Sequence, residues 1–229
     1  MAAPAPVLAP ISRFDSEDHH SVREAFAATP EIHLGQFWLQ NAEERFMPGA
    51  VRLGAMGGAL FVFAELVDEE IVSFPAKFNE PAFKSGDAFE MFFSPEGQNA
   101  YYEFHVTPSN SLLQLRFPHP GAAREMALLG RDPLSPYKVR EPLFKSRTYV
   151  DREGGRWSVL AEIPFASVFE RIGEGASRLR ASFCRYDWAL GFKRPVLSSS
   201  SPHAVCDFHR IEEWMIFEVP RQAVLPVQQ

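Results

Sequence analysis

Gly86-Asp87-Ala88-Phe89-Glu90-Met91-Phe92-Phe93, followed by Tyr101-Tyr102-Glu103-Phe104-His105-Val106, is the stretch that decides the fold. Both segments are rich in aromatic residues, and both carry ionisable groups at alternate positions. A strand sends successive side chains to opposite faces. Ala88, Glu90 and Phe92 therefore share one face, with Phe89, Met91 and Phe93 on the other. In the second segment Tyr102, Phe104 and Val106 share a face, while Tyr101, Glu103 and His105 point the opposite way. One face of the pair is dry; the other mixes carboxylates, an imidazole and rings. Such a mixture suits a polyhydroxylated ligand, and an ordinary solvated sheet face has the same pattern.

Working outward, the same period recurs with turn punctuation between the runs. Val51 to Gly54 precedes a turn at Gly57-Gly58, and Leu60 to Val67 alternates after it. Leu112 to Phe117, Arg147 to Val150, Trp157 to Ile163, Leu179 to Tyr186 and Trp214 to Val219 read as further strands. Helices are scarce. Pro164 to Ile172 is the best candidate, because proline suits a first turn and Gly173 a stop; Ser21 to Ala28 and Leu34 to Met47 are weaker ones. The segments Pro118 to Glu141 and Gly191 to Arg210 are long connections, of the kind that carry function. The expected architecture is an all-β antiparallel sandwich with one or two short helices. Residues 1–30, broken by Pro4, Pro6, Pro10 and Pro30, read as an N-terminal arm, 31–220 as a single domain and 221–229 as a tail.

Composition narrows the function classes. Twenty-one phenylalanines against five tyrosines place most of the aromatic content in a core, since Phe has no polar tip to satisfy. A net charge of −6 argues against nucleic acid or an anionic membrane as the main partner. No apolar run reaches the length needed to span a bilayer as a helix. Cys184 and Cys206 are too few for a disulfide scaffold. Cytoplasm is the default expectation, with secretion following if a signal peptide has been removed. Oligomeric state has no signature in the sequence.

The run from Gly86 to Pro95 with Tyr101-Tyr102-Glu103-Phe104 resembles the family 9 carbohydrate-binding modules, and in particular the stand-alone bacterial family 9-like proteins. Trp157 to Pro164 is similar to that family's strand ending in Ile-Pro. Phe183-Cys184-Arg185-Tyr186-Asp187, Leu197-Ser198-Ser199, Ser201-Pro202 and Asp207-Phe208-His209-Arg210 resemble its C-terminal blocks, in order. The similarity runs from about Ile32 to Val219. It implies a jelly-roll or immunoglobulin-like sandwich of the wider DOMON-like type, a non-catalytic role in binding a mono- or oligosaccharide, and calcium in some members. Family members hold a sugar between two tryptophans. By that resemblance Phe83 is the nearest aromatic to the first tryptophan's place, Glu90 occupies the strand carboxylate and His105 stands where an arginine is frequent. Arg185 and Asp187 take polar positions on the later strand, and Trp188 follows them.

Alternation adds Glu103 and Glu162 to this set. Glu162 projects opposite Trp157, Val159, Ala161 and Ile163, so Glu90, Glu103, His105, Glu162 and Arg185 converge if their strands are neighbours in one sheet. Carboxylates and arginine paired with a stacking ring suit a sugar's hydroxyl pairs and apolar face; a cross-strand ion pair between Glu162 and Arg185 is the plain structural alternative. Two other readings stay open. Wider relatives bind haem, for which Met91, Met126 and His105 are the axial candidates, and paired carboxylates hydrolyse glycosides. For calcium the acidic run Asp68-Glu69-Glu70 is the candidate, and for another metal His203, Asp207 and His209.

Overall fold

In the computed structural model residues 5–168 and 178–224 are described. Two antiparallel sheets face one another. The five-stranded sheet has the order β1-β2-β3-β8-β7, built from β1 (Ile32–His33), β2 (Gly49–Met56), β3 (Ala59–Val67), β8 (Arg156–Pro164) and β7 (Lys145–Asp151). The six-stranded sheet runs β10-β9-β4-β5-β6, from β10 (Val196–Ser199), β9 (Arg178–Asp187), β4 (Ala88–Pro95), β5 (Tyr101–Val106) and β6 (Leu112–Phe117). Its sixth strand, β11 (Met215–Glu218), pairs with the first half of β9. Every expected strand is present, and the all-β sandwich is confirmed.

The alternation read from the sequence sorts the faces as expected. Phe89, Met91 and Phe93 of β4, with Phe104 and Val106 of β5, meet Val62, Ala64, Trp157, Val159 and Ala161 of the opposite sheet in one buried cluster. Burying this much apolar surface is the main drive to closure. Phe92 and Cys184 lie on the outer face of the six-stranded sheet, in a second cluster with Tyr101, Leu115, Phe208 and Trp214.

The expected arm is part of the fold. Leu8 and Ile11 are buried, Val7 bridges Glu218, and Pro10 bridges Ala55. Helix α1 (His19–Phe26), capped by the Asp18 carboxylate on the His20 N–H, drops Val22 and Phe26 onto Phe61 and Phe63. That contact explains why β3 is buried on both faces, which its alternating pattern conceals. Gly54 allows the close approach, since a Cβ there would lie 2.3 Å from the Ile11 side chain. Among the described residues, Phe165–Val168 is helical after Pro164, and the rest of the expected helix lies outside them. No helix forms over Leu34 to Met47: Gly35 instead bridges Ser199, and Gln36 reaches the Leu197 carbonyl and the Glu43 N–H.

Candidate functional site

Register decides which sequence-predicted residues meet. On β4, Glu90 is paired with His105 of β5 on one side and Cys184 of β9 on the other, and direct partners in an antiparallel sheet share a face. Phe92 is likewise paired with Glu103. Glu90, Glu103 and His105 therefore come together on the outer face of the six-stranded sheet. The His105 ring lies between the two carboxylates, with Nδ1 3.0 Å from Glu90 Oε1 and Nε2 2.5 Å from Glu103 Oε1. All three groups are buried. Burial opposes a charge on His105, but Glu90 and the hydrogen bonds to Glu103 and Glu90 outweigh it and raise its pKa to about 10. Burial pushes Glu90 up despite the imidazolium. For Glu103, burial is overcome by the His105 hydrogen bond and its pKa falls.

Above this row lies a pocket of about 240 Å³. Glu90 and Glu103 form its polar floor, and Phe83, Tyr186 and Phe208 its aromatic walls. Phe83 packs on the His105 ring at 5.1 Å between centroids and on Tyr186 at 5.2 Å. Asp207 and His209 come in from the long segment after β10. Tyr101 and His209 Nδ1 are hydrogen-bonded at 2.7 Å, which ties that segment to β5. Glu103 Oε2 has no hydrogen-bond partner among the described residues; His105 Nε2 holds the other oxygen of the same carboxylate, and His209 Nδ1 lies 3.8 Å from Oε2. A buried carboxylate oxygen left in this state is costly unless a ligand or water supplies a donor.

Four of the sequence-predicted residues, Glu162, Arg185, Asp187 and Trp188, lie elsewhere. Glu162 sits in the other sheet, paired with Phe61 and Lys145, and faces away from the pocket on the far side of the sandwich. Arg185 is paired with Phe89, not with Glu90, so it points between the sheets. The expected convergence of Glu162 and Arg185 with Glu90 is thus corrected: β8 and β9 belong to different sheets, and Cys184 and Tyr186, not Arg185 and Asp187, share the face of Glu90. Trp188 is half-buried beside the pocket, outside its lining. Its indole N–H donates to the Phe83 carbonyl at 2.8 Å and its backbone N–H to Asp87 at 2.7 Å, so it braces the segment that carries Phe83. The pocket residues Tyr186, Phe208, Asp207 and His209 are absent from the predicted binding set, although Tyr186 shares the strand face of Cys184 and Asp207-Phe208-His209 lies both in a long connection and in a block that the resemblance singled out. The four-serine run Ser198 to Ser201 is buried, its first two residues ending β10, with Ser199 bonded to Ser182 and Cys184.

Arg185 has a different function in the fold. Its Nη2 lies 3.0 Å from Asp68 Oδ2 and 3.2 Å from Asp187 Oδ1, and its Nη1 donates to the Val67 carbonyl at 2.6 Å. Asp68, Asp87 and Asp187 bring one oxygen each within 4.8 Å of one another, a spacing that a calcium ion would suit. These residues do not fit one. A guanidinium already stands among them, both Asp87 oxygens accept N–H groups from Val72 and Trp188, and Asp68 Oδ2 accepts the Trp157 indole N–H. The second expected metal set separates too, since His203 is bonded to Glu213 and His209 to Tyr101.

The aspartates make stability pH-dependent. Burial, with Asp68 nearby, raises Asp87 to about 8 against the Trp188 and Val72 N–H groups and Arg185. Burial raises Asp187 to about 6 against Arg185. Both lie above the ordinary aspartate value, so the native state holds these protons more tightly than the unfolded chain. Their contribution is full below about pH 4 and is lost as pH rises through about 6 for Asp187 and about 8 for Asp87. Thermal unfolding across pH 4 to 9 is expected to show Tm falling over this window, and Asp87→Asn to flatten the slope. An unchanged slope in that variant would remove Asp87 from the account.

A larger cleft of about 580 Å³ lies between the arm and β11, bordered by Val7, Leu53, Trp214 and Phe217. It is mostly apolar and lacks a convergent polar set, so the chemistry points to the smaller pocket.

No family model matches this sequence, and no curated protein does. Solved structures do. A candidate carbohydrate-binding protein from Bacteroides uniformis superposes with a TM-score of 0.70 at 15% identity, covering 94% of this chain and 99% of its own. A family 9 carbohydrate-binding module from Caldicellulosiruptor kristjanssonii in complex with glucose gives 0.57 at 12% identity, over 93% of this chain and 94% of its own. The same organism's module in complex with cellotriose gives 0.58 at 12%, over 98% and 99%. The chain has the fold of these carbohydrate-binding proteins over almost its whole length.

Proposed function

We propose that this protein is a non-catalytic carbohydrate-binding sandwich that takes a sugar in the pocket over Glu90, Glu103 and His105. The observation that carries the proposal is the buried Glu103 carboxylate lining a pocket walled by rings, with its Oε2 left without a hydrogen-bond partner among the described residues. A sugar supplies what is missing: hydroxyls to donate to the carboxylate, and an apolar ring face for Phe83, Tyr186 or Phe208. The pocket's volume suits one sugar unit, and its open side leaves room for a chain end. Two modules of the same fold are complexes with glucose and cellotriose, which favours a sugar of that kind.

Hydrolysis is the weaker reading. Glu90 and Glu103 grip the same imidazole from either side, so neither stands free across an open gap from the other as glycoside hydrolysis requires. Haem is weaker still: Met91 is in the inter-sheet core and both His105 nitrogens are engaged. Calorimetric titration with glucose and cellotriose tests the proposal. Binding to the native protein is expected, weakened about tenfold or more in Glu103→Gln by loss of a charged hydrogen bond. Glu162→Gln, on the opposite sheet, is expected to bind as the native protein does. Absence of binding by either sugar, or equal losses in both variants, would overturn it.

A further inference from the structure

We infer that the pocket selects an amino sugar with a free ammonium over the corresponding neutral sugar, and rejects an acidic one; this rests on the sugar-binding reading above. The argument is one of charge and geometry. Three carboxylates line the pocket, those of Glu90, Glu103 and Asp207, and no lysine or arginine does. Arg210, next in the chain to His209, is turned away onto Glu212 and Glu213 at 3.4 and 2.7 Å. His105 offsets only part of the negative charge, since it is shared between two carboxylates. Glu103 is 5% exposed and lines the pocket, and its Oε2 has no hydrogen-bond partner among the described residues. The neighbouring His209 ring is already committed to Tyr101.

A hydroxyl would satisfy that oxygen with a neutral hydrogen bond. An ammonium would satisfy it with a charge-assisted one, about twice as strong, beside the buried Glu103 carboxylate where solvent screens little, and the exposed Asp207 adds a weaker pull. A uronic acid would bring a further negative charge against these carboxylates, with no lysine or arginine in the lining to meet it. A metal ion is the less suitable guest, because the His105 ring already stands between Glu90 and Glu103, 3.0 Å and 2.5 Å from their oxygens, and would have to give up that ion-paired position to coordinate.

The test is a calorimetric comparison of glucose, glucosamine, N-acetylglucosamine and glucuronic acid at neutral pH, on the native protein and on Glu103→Gln. The expected result is glucosamine bound about tenfold more tightly than glucose, with N-acetylglucosamine losing that advantage and glucuronic acid not binding. Glu103→Gln is expected to bind glucosamine and glucose alike. Because that variant could be weakened by misfolding, its melting curve is recorded beside the titration, and Asp207→Asn, at an exposed position, provides a second variant expected to narrow the preference. Glucose binding as tightly as glucosamine would overturn the inference while leaving sugar binding intact. Failure of all four sugars would overturn both.

Discussion

Replacing Arg185 with methionine is expected to be among the most damaging single substitutions in this chain, although it lies outside the pocket. Methionine fills a similar volume, so the change removes charge and hydrogen bonds more than packing. Asp68, Asp87 and Asp187 would then share a buried space with no cation. Breaking a buried ion cluster in this way costs about 3–5 kcal/mol, which for a chain of this size is roughly 10 °C in Tm. The loss should depend on pH. At pH 5 the aspartates can take up protons and relieve their repulsion; at pH 8 they cannot do so at small cost. Thermal unfolding of the variant should therefore show a larger deficit at pH 8 than at pH 5. Equal deficits at both would mean that Arg185 acts through packing alone. The consequence extends to function, because this cluster joins Val67, the start of β4 and the Trp188 segment that braces Phe83.

The second large effect is expected at His105, where one imidazolium stands between two buried carboxylates. His105→Gln leaves Glu90 and Glu103 facing each other without their shared charge, again at a cost of about 3–5 kcal/mol. The signature is a rescue. Adding Glu90→Gln to His105→Gln removes one of the two opposed charges and should recover at least half of the lost stability, a coupling of the kind shown by residues in one network. If the double variant is less stable than the native protein by the sum of the two single losses, the three groups do not act as a unit. Sugar binding should be lost in His105→Gln and should stay weak in the double variant, because the floor of the pocket has been rebuilt in both.

These effects show where the sequence was legible. Alternation in β4 and β5 separates the dry face from the polar one, and it places Glu90, Glu103 and His105 together because the two strands are joined by a short connection and pair directly. Alternation says nothing about which distant strand lies beside β4. Arg185 was assigned to the wrong face for that reason: Leu179, Ala181 and Phe183 share its side of β9 and line the core, and only register with Phe89 shows that Arg185 looks inward with them. Glu162 failed similarly, since a strand's membership of one sheet or the other is a long-range fact. The walls of the pocket were illegible because Phe208 and His209 come from an irregular segment with no period to read. The place of the arm was not legible, because nothing in its proline-broken sequence shows that Leu8, Ile11 and Phe26 are held by surfaces far away in sequence.

The central claim is that a sugar binds on the outer face of the six-stranded sheet. The most direct measurement is a glucose titration followed by two-dimensional amide NMR on labelled protein. The account predicts saturable shifts concentrated at Glu90, Glu103, His105 and residues 206–209, with the amides of Lys145, Arg147 and Glu162 on the opposite sheet unmoved. Shifts centred on that opposite face, or in the apolar cleft beside β11, would contradict it.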